Sequence, residues 1–288
     1  MSAQPGFSVL GPIQIHAAGG RRVRIPRGRV LSFLALLLVQ RGATLTVDRI
    51  VDELWEGEGP RNRKNAVHVV ASRLRAAIGE GAVVSEAGGY ALRLDHGALD
   101  SQRFESLLHR GLDERDRRDP EDAARTFREA LGLWHGAPFA GVADEGFAQP
   151  EIARLEDLRL TCLAERVDAD LACGRHEELT GELYALVHRH PLRERFRRQL
   201  MLALYRAGRQ AEALAAYRDA HRALADGLGI EPSPELRALE AAILRQQVPA
   251  APVRRHVDWS PQQPTFWRRL SERCSNATST WAMASARR

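Results

Sequence analysis

Apolar and polar positions switch period repeatedly along this chain. Residues 7–25 carry two short runs, FSVLGPIQI and HAAGGRRVRI. They break at Gly11-Pro12 and Gly19-Gly20 and end on the alternating Arg22-Val23-Arg24-Ile25. They predict a small antiparallel sheet. Residues 29–40, RVLSFLALLLVQ, are apolar nearly all round, the pattern of a helix buried in a domain centre. Pro26 predicts its start and Gly42 its end. Thr46 then offers an N-cap, with Arg49 where a full capping box has Glu, and Asp48 suits the positive helix end. Val47, Ile50, Val51, Leu54 and Trp55 give that helix an apolar face.

The stretch from Gly59 to Gly79, GPRNRKNAVHVVASRLRAAIG, has Val67, Val70, Ala71, Leu74 and Ile78 at helical spacing. The opposite side is centred on Asn65, Val69, Ser72 and Ala76 and flanked by Arg61, Lys64, His68, Arg73 and Arg75, with no carboxylate between Arg61 and Gly79. Such a face suits the major groove of DNA: arginine forks onto guanine or phosphate, Asn pairs with adenine, and a small apolar side chain meets a thymine methyl. Taken alone, the helix fits a solvated basic surface equally well. Beyond Gly79, Val83-Val84 and Tyr90-Ala91-Leu92-Arg93-Leu94 flank Gly88-Gly89, a β-hairpin signature. Sheet, helix, helix, basic helix, hairpin is the layout of a winged helix-turn-helix, whose second helix braces the third and whose hairpin reaches a minor groove. The expected duplex contacts are Arg61, Lys64, Asn65, His68, Val69, Ser72, Arg73 and Arg75 on the helix side, with Gly88, Gly89, Tyr90 and Arg93 on the hairpin.

Residues 100–248 read as helices of 3.6-type periodicity, from EDAARTFREALGLW through EIARLEDLRLTCLAERVDADLA to PELRALEAAILRQ. Gly174-Arg175 and Gly208-Arg209 lie 34 residues apart, and in that register Leu171 matches Tyr205, Glu178 matches Glu212 and Leu183 matches Tyr217. That period marks tetratricopeptide-like helix pairs. Paired acids such as Asp168 and Asp170, or Asp144 and Glu145, read as solvated faces. The fold expected is mainly α: an N-terminal winged helix-turn-helix (α+β) over 1–99, then an α-helical tetratricopeptide-like repeat domain over 100–248. Residues 249–288, proline-rich and non-periodic, read as a disordered basic tail.

LGPIQI, PRGRVLSFLALLL, LTVDRIVDELW, NAVHVVASRLRAAIG and GGYALRL, in that order, resemble the DNA-binding domain of the Streptomyces antibiotic regulatory protein family, itself similar to the OmpR-type winged helix. The series RLEDLRL, ADLACGRHEEL and HPLRERFRRQLMLALYRAGRQAEALAAYR extends the resemblance over about residues 7–248. It departs where His68 and Val70 stand at positions the family often fills with Gln and with His or Tyr, which bears on the base sequence preferred. The resemblance implies that the second half is a bacterial transcriptional activation domain. It also implies an activator of a specialised-metabolite (antibiotic) gene cluster that binds direct repeats near a promoter, where copies can self-associate. By the same resemblance the loop after Trp55 faces RNA polymerase holoenzyme and its sigma factor; its acidic Glu56 and Glu58 are then the expected contacts, and the alternative is a solvated turn whose glycines only set the angle between the helices.

Charge agrees with that division. Residues 1–99 hold 13 Lys+Arg against 8 Asp+Glu, residues 100–248 hold 22 against 27, and residues 249–288 hold 7 against 2. A basic first domain on an acidic second implies a polyanion partner for the first. No apolar run approaches the ~20 residues of a membrane span, and the N-terminus lacks signal-peptide order, so a cytoplasmic, nucleoid-associated protein without membrane contact is expected. No phosphate-binding glycine loop, nucleophile elbow or HExxH pair is present, so neither enzyme activity, nor a cofactor, nor a metal is expected. The alternative function is a helical-repeat scaffold that uses its winged helix for protein contacts.

Overall fold

The computed structural model describes residues 5–248 except 18, 56–60, 87 and 96. Three short strands, β1 (Gly6–Ser8), β2 (Gln14–His16) and β3 (Arg22–Val23), form an antiparallel sheet in that order, with Phe7 opposite Ile15 and Ile15 opposite Val23. Helix α1 (Arg29–Val39) runs through the first core, where Phe33, Leu34, Leu36 and Leu37 are fully buried. It starts three residues after Pro26, behind Gly28. Then come β4 (Leu45–Thr46), α2 (Val47–Leu54), α3 (Arg63–Ile78), β5 (Val83–Glu86) and β6 (Gly89–Leu92). Strand β4, which the sequence pattern does not predict, joins the hairpin in a sheet ordered β4-β6-β5. Its pairs Leu45–Tyr90 and Thr46–Gly89 fix the hairpin against the start of α2. Thr46 caps α2 as expected, accepting from the Arg49 N–H at 3.4 Å.

The second half is all helix among the described residues: α4 (Asp100–Asp116), α5 (Pro120–Leu131), α6 (Gln149–Ala172), α7 (His176–Arg189), α8 (Glu194–Arg206), α9 (Gln210–Leu228) and α10 (Pro234–Leu244). Helix α4 is an addition to the sequence reading. Gly111 interrupts its apolar stripe, yet that glycine lets α5 approach: a Cβ there would stand 2.5 Å from the Phe127 ring. The repeat is borne out in the backbone. Gly174 (φ 76°) ends α6 and Gly208 (φ 77°) ends α8, and Arg175 and Arg209 donate back to the carbonyls of Asp170 (3.0 Å) and Leu204 (2.9 Å).

Two hydrophobic cores result. The first takes in the sheets and α1–α3 together with Phe104, Phe127, Trp134 and Phe139; the second lies among α6–α10. Helix α6 supplies both, Leu155 and Cys162 to the first, Val167 and Leu171 to the second. Backbone bonds stitch the first core across residue 99: His135 N–H to Leu10 O (2.8 Å) and Phe139 N–H to Val9 O (2.8 Å). The buried carboxylate of Asp100 accepts from the N–H groups of Val9 (2.8 Å) and Leu10 (3.2 Å). Its desolvation raises its pKa against the lowering effect of those bonds. Cys162, buried beneath α5, has its thiol pushed up to about 12 by the same cause.

Three of the four acids read as solvated are otherwise placed. Asp170 is buried and holds Arg175 (2.6 Å), Arg166 (3.3 Å) and Arg128, while Asp168 holds Arg195 (2.7 Å) and Arg198 (3.4 Å). Glu145 accepts from Ser32 Oγ at 2.8 Å, and Asp144 is exposed. Sequence pattern missed the first two because Arg128 of α5 and Arg195 and Arg198 of α8 reach them from far along the chain and packing buries Asp170 among them.

Candidate nucleic-acid interface

Helix α3 buries Val67, Val70, Ala71 and Leu74 against α1 and α2. It therefore exposes Lys64, Asn65, His68, Val69, Ser72, Arg73 and Ala76. Val69 keeps 40% of its surface open at the middle of that face. The helix begins at Arg63 because the Asn62 side chain accepts from the Asn65 N–H (3.0 Å) and caps it. Arg61 thus stands before the helix, exposed, rather than on its first turn. Arg63 turns back to α2, 3.5 Å from Asp48 and 3.4 Å from Asp52, and braces the two helices. Those pairs are solvated and hold geometry more than stability.

Arg61, Lys64, Arg73 and Arg93 make no ion pair among the described residues. Arg75 is different. Its Nε donates to the Val83 carbonyl (2.8 Å) and its Nη2 to Ser85 Oγ (2.9 Å), and its guanidinium lies 5.6 Å from the centre of the Tyr90 ring. It ties α3 to the hairpin. Tyr90, 8% exposed, meets Phe33 edge-on with ring centres 5.9 Å apart. The two hairpin glycines divide in role. Gly88 occupies the left-handed turn (φ 82°) with open space around it, whereas a Cβ on Gly89 would sit 2.0 Å from the Leu45 carbonyl oxygen. Only glycine lets β6 lie this close to β4.

Between the N-terminal half of α3 and the hairpin runs an open cleft of about 670 Å³. Lys64, Asn65 and His68 line one side, Ser85, Glu86 and Gly88 the other, with Val47 and Tyr90 also on its walls. The expected contacts Lys64, Asn65, His68, Gly88, Gly89 and Tyr90 are thus brought together there. Arg93 is not. It follows the far end of β6, beyond the Val83–Leu92 pair, and lines a separate cleft shared with α4. Four residues of strand at ~3.3 Å each put it ~13 Å from the turn. Ser85 is a cleft residue that the sequence reading missed, since only the strand register turns it toward α3.

Trp55 ends α2, and the Arg29 guanidinium lies 5.1 Å from its ring centre. Glu56 and Glu58, the expected polymerase contacts, lie outside the described residues. Among the described residues no group of three or more His, Cys, Asp or Glu side chains is placed to hold a metal, and no helix is long and apolar enough to cross a membrane.

Residues 99–244 match the model of the bacterial transcriptional activator domain family. The chain is 46% identical over 241 residues to the regulatory protein AfsR of Streptomyces coelicolor, a match covering 83% of this chain and 24% of that protein. It is 34% identical over 250 residues to the regulatory protein DnrI of Streptomyces peucetius, covering 83% of this chain and 92% of that one. In three dimensions it is similar to Mycobacterium tuberculosis EmbR, solved in complex with a low-affinity phosphopeptide, with a TM-score of 0.81, 32% identity, and coverage of 85% and 66% of the two chains. The chain therefore spans about a quarter of AfsR and nearly all of DnrI.

Proposed function

The chain belongs to the Streptomyces antibiotic regulatory protein family of transcriptional regulators, and on that premise we propose that it is a sequence-specific, DNA-binding transcriptional activator of a specialised-metabolite gene cluster, acting in the cytoplasm on the nucleoid. One observation carries the reading. The outward face of α3 is acid-free, its Lys64 and Arg73 lack carboxylate partners among the described residues, and it opens into a cleft beside the hairpin. Unpaired cations on a rigid, partly apolar helix keep their full charge for phosphates and their donors for base edges.

In this reading Asn65, His68, Val69, Ser72 and Arg73 face bases, Val69 meeting a thymine methyl, while Arg61 and Lys64 grip phosphate. Gly88 brings the hairpin tip to the neighbouring groove. Arg75, Gly89 and Tyr90 act through position: they fix the hairpin against the helix. The winged helix over 1–99 is the binding module and the helices over 100–248 the activation module. On tandem repeats a second copy binds alongside.

The loop after Trp55 meets RNA polymerase, its two carboxylates against basic polymerase surface. A contact of ~1–2 kcal/mol is enough, since 1.4 kcal/mol changes occupancy tenfold. A genome-wide DNA pull-down with the full chain tests the main reading, which requires enrichment of a common repeat upstream of biosynthetic genes. A chain that enriches no duplex is a scaffold instead. Changing Glu56 and Glu58 together to Gln tests the loop: promoter transcription falls while operator binding survives.

A further inference from the structure

Six arginines and no carboxylate precede Asp48 in the chain. Of the six, Arg41 is paired with Glu105 and Glu151. The other five, Arg21, Arg22, Arg24, Arg27 and Arg29, are exposed and make no ion pair among the described residues. Strand alternation sets Arg22 and Arg24 on one side. Phe7, Ile15, Val23 and Ile25 turn one face of the β1-β2-β3 sheet to the core, so the other face carries Ser8, Gln14, His16 and Arg22 in register. Arg24 follows on the exposed side while Ile25 packs inward, and Arg27 and Arg29 flank Gly28 at the entry to α1. Glu145, which reaches α1 at Ser32, is bonded to that hydroxyl and to no arginine among the described residues.

We propose that this sheet face is a second nucleic-acid contact, which binds the phosphate backbone of DNA outside the segment read by α3 and without regard to its sequence. The inference rests on the duplex-binding reading above. Helix α3 packs on α1, α2 and β5, so its basic face and that of the sheet belong to different elements of the domain. An acid-free cluster of cations selects a polyanion. The lack of an apolar anchor selects among polyanions. None of the large apolar side chains exposed among the described residues, from Val69 to Leu244, belongs to this face. A protein partner is held by buried anchors at the centre of its interface, whereas phosphates need cations and hydrogen-bond donors alone. Arg22 and Arg24 stand ~7 Å apart along extended chain, a step close to that between successive phosphates of one strand. Ser8, Gln14 and His16 add hydrogen-bonding groups beside them, and arginine forks grip phosphate oxygens in pairs. Because this contact reads no base, it raises affinity for any DNA long enough to reach it and leaves the choice of repeat to α3.

The test uses the full chain and a repeat that the wild type selects from a random library. The repeat is presented in a short duplex of about one and a half helical turns and in a long one with about five further turns of arbitrary sequence. Binding is read by fluorescence anisotropy over a series of salt concentrations. The charge-removing variant carries Arg22→Gln, Arg24→Gln and Arg27→Gln together. It is expected to bind the long duplex on the order of 10-fold more weakly, with a salt slope lower by about two to three contacts at ~0.9 each, and the short duplex within about twofold of wild type. The charge-keeping variant, Arg22→Lys, Arg24→Lys and Arg27→Lys, is expected within about threefold of wild type on both duplexes. Arg73→Ala is expected to weaken both duplexes alike. A charge-removing variant that matches wild type on the long duplex overturns the proposal in favour of an acidic protein partner and leaves the reading role of α3 standing. Equal loss on both duplexes also overturns it, because the arginines then serve the groove-reading site or the fold. A charge-keeping variant as weak as the charge-removing one overturns it too, since charge is then not what binds. If the wild type selects no repeat, the duplex-binding reading itself fails, and this inference with it.

Discussion

On α3, Lys64 and Arg73 pair with no carboxylate among the described residues, whereas on α6 the carboxylates of Glu165, Asp168 and Asp170 hold Arg115, Arg128, Arg166, Arg175, Arg195 and Arg198. The same residue type does opposite work in the two halves. In the helical half, arginine reaches from α4, α5, α8 and the turn before α7 onto one helix and fastens the seam between the two cores. Across residue 99, Arg41 does likewise, 2.6 Å from Glu105 and 2.7 Å from Glu151. In the winged half Lys64 and Arg73 of α3 are left unpaired among the described residues, and the free energy of neutralising them is released only on meeting a polyanion. Net charge therefore says less about the binding face than pairing does.

The contrast can be broken first at Asp170. Asp170→Ala strands the buried Arg166, whose other contact is the half-exposed Glu182. Breaking a buried pair from one side costs ~3–5 kcal/mol. Urea unfolding should show that loss; a midpoint equal to wild type would mean the α6 cluster is not structural.

Arg73→Ala is the reverse case. It should leave the unfolding midpoint in place and cost ~1–3 kcal/mol of affinity for a selected duplex, with relaxed preference at one base position. A drop in stability instead would erase the contrast.

Arg75→Ala lies between the two. With Val83 O and Ser85 Oγ released, amide hydrogen exchange should quicken across residues 83–92 in the free protein. Stability should fall by ~1 kcal/mol, typical of one or two partly exposed hydrogen bonds. Unchanged exchange there would return Arg75 to the candidate DNA contacts. The smallest effect is expected at Arg93, on the far side of the hairpin base: Arg93→Ala should shift duplex affinity by less than about twofold and leave the salt slope, ~0.9 per phosphate contact, unaltered. A slope that falls by a full contact would place the backbone behind the wing.

The sequence by itself determined what local rules govern. The buried α1, the capped α2, the apolar stripe of α3 with its exposed counterpart, the hairpin at Gly88 and the 34-residue period all follow from side-chain spacing and turn chemistry within a few residues. Helix α4 escaped because Gly111 broke its stripe, for a reason, the Phe127 ring, that lies sixteen residues away. What tertiary structure alone decided is the fate of each charge. Arg73 and Arg75 are two positions apart and equivalent by composition, yet a strand carbonyl and a serine hydroxyl from β5 claim only Arg75. Asp170 looks like a surface acid until α5 packs over it and delivers Arg128 from 42 residues away. Electrostatic partnership is set by distance in space, which packing of remote segments fixes and periodicity along the chain does not encode.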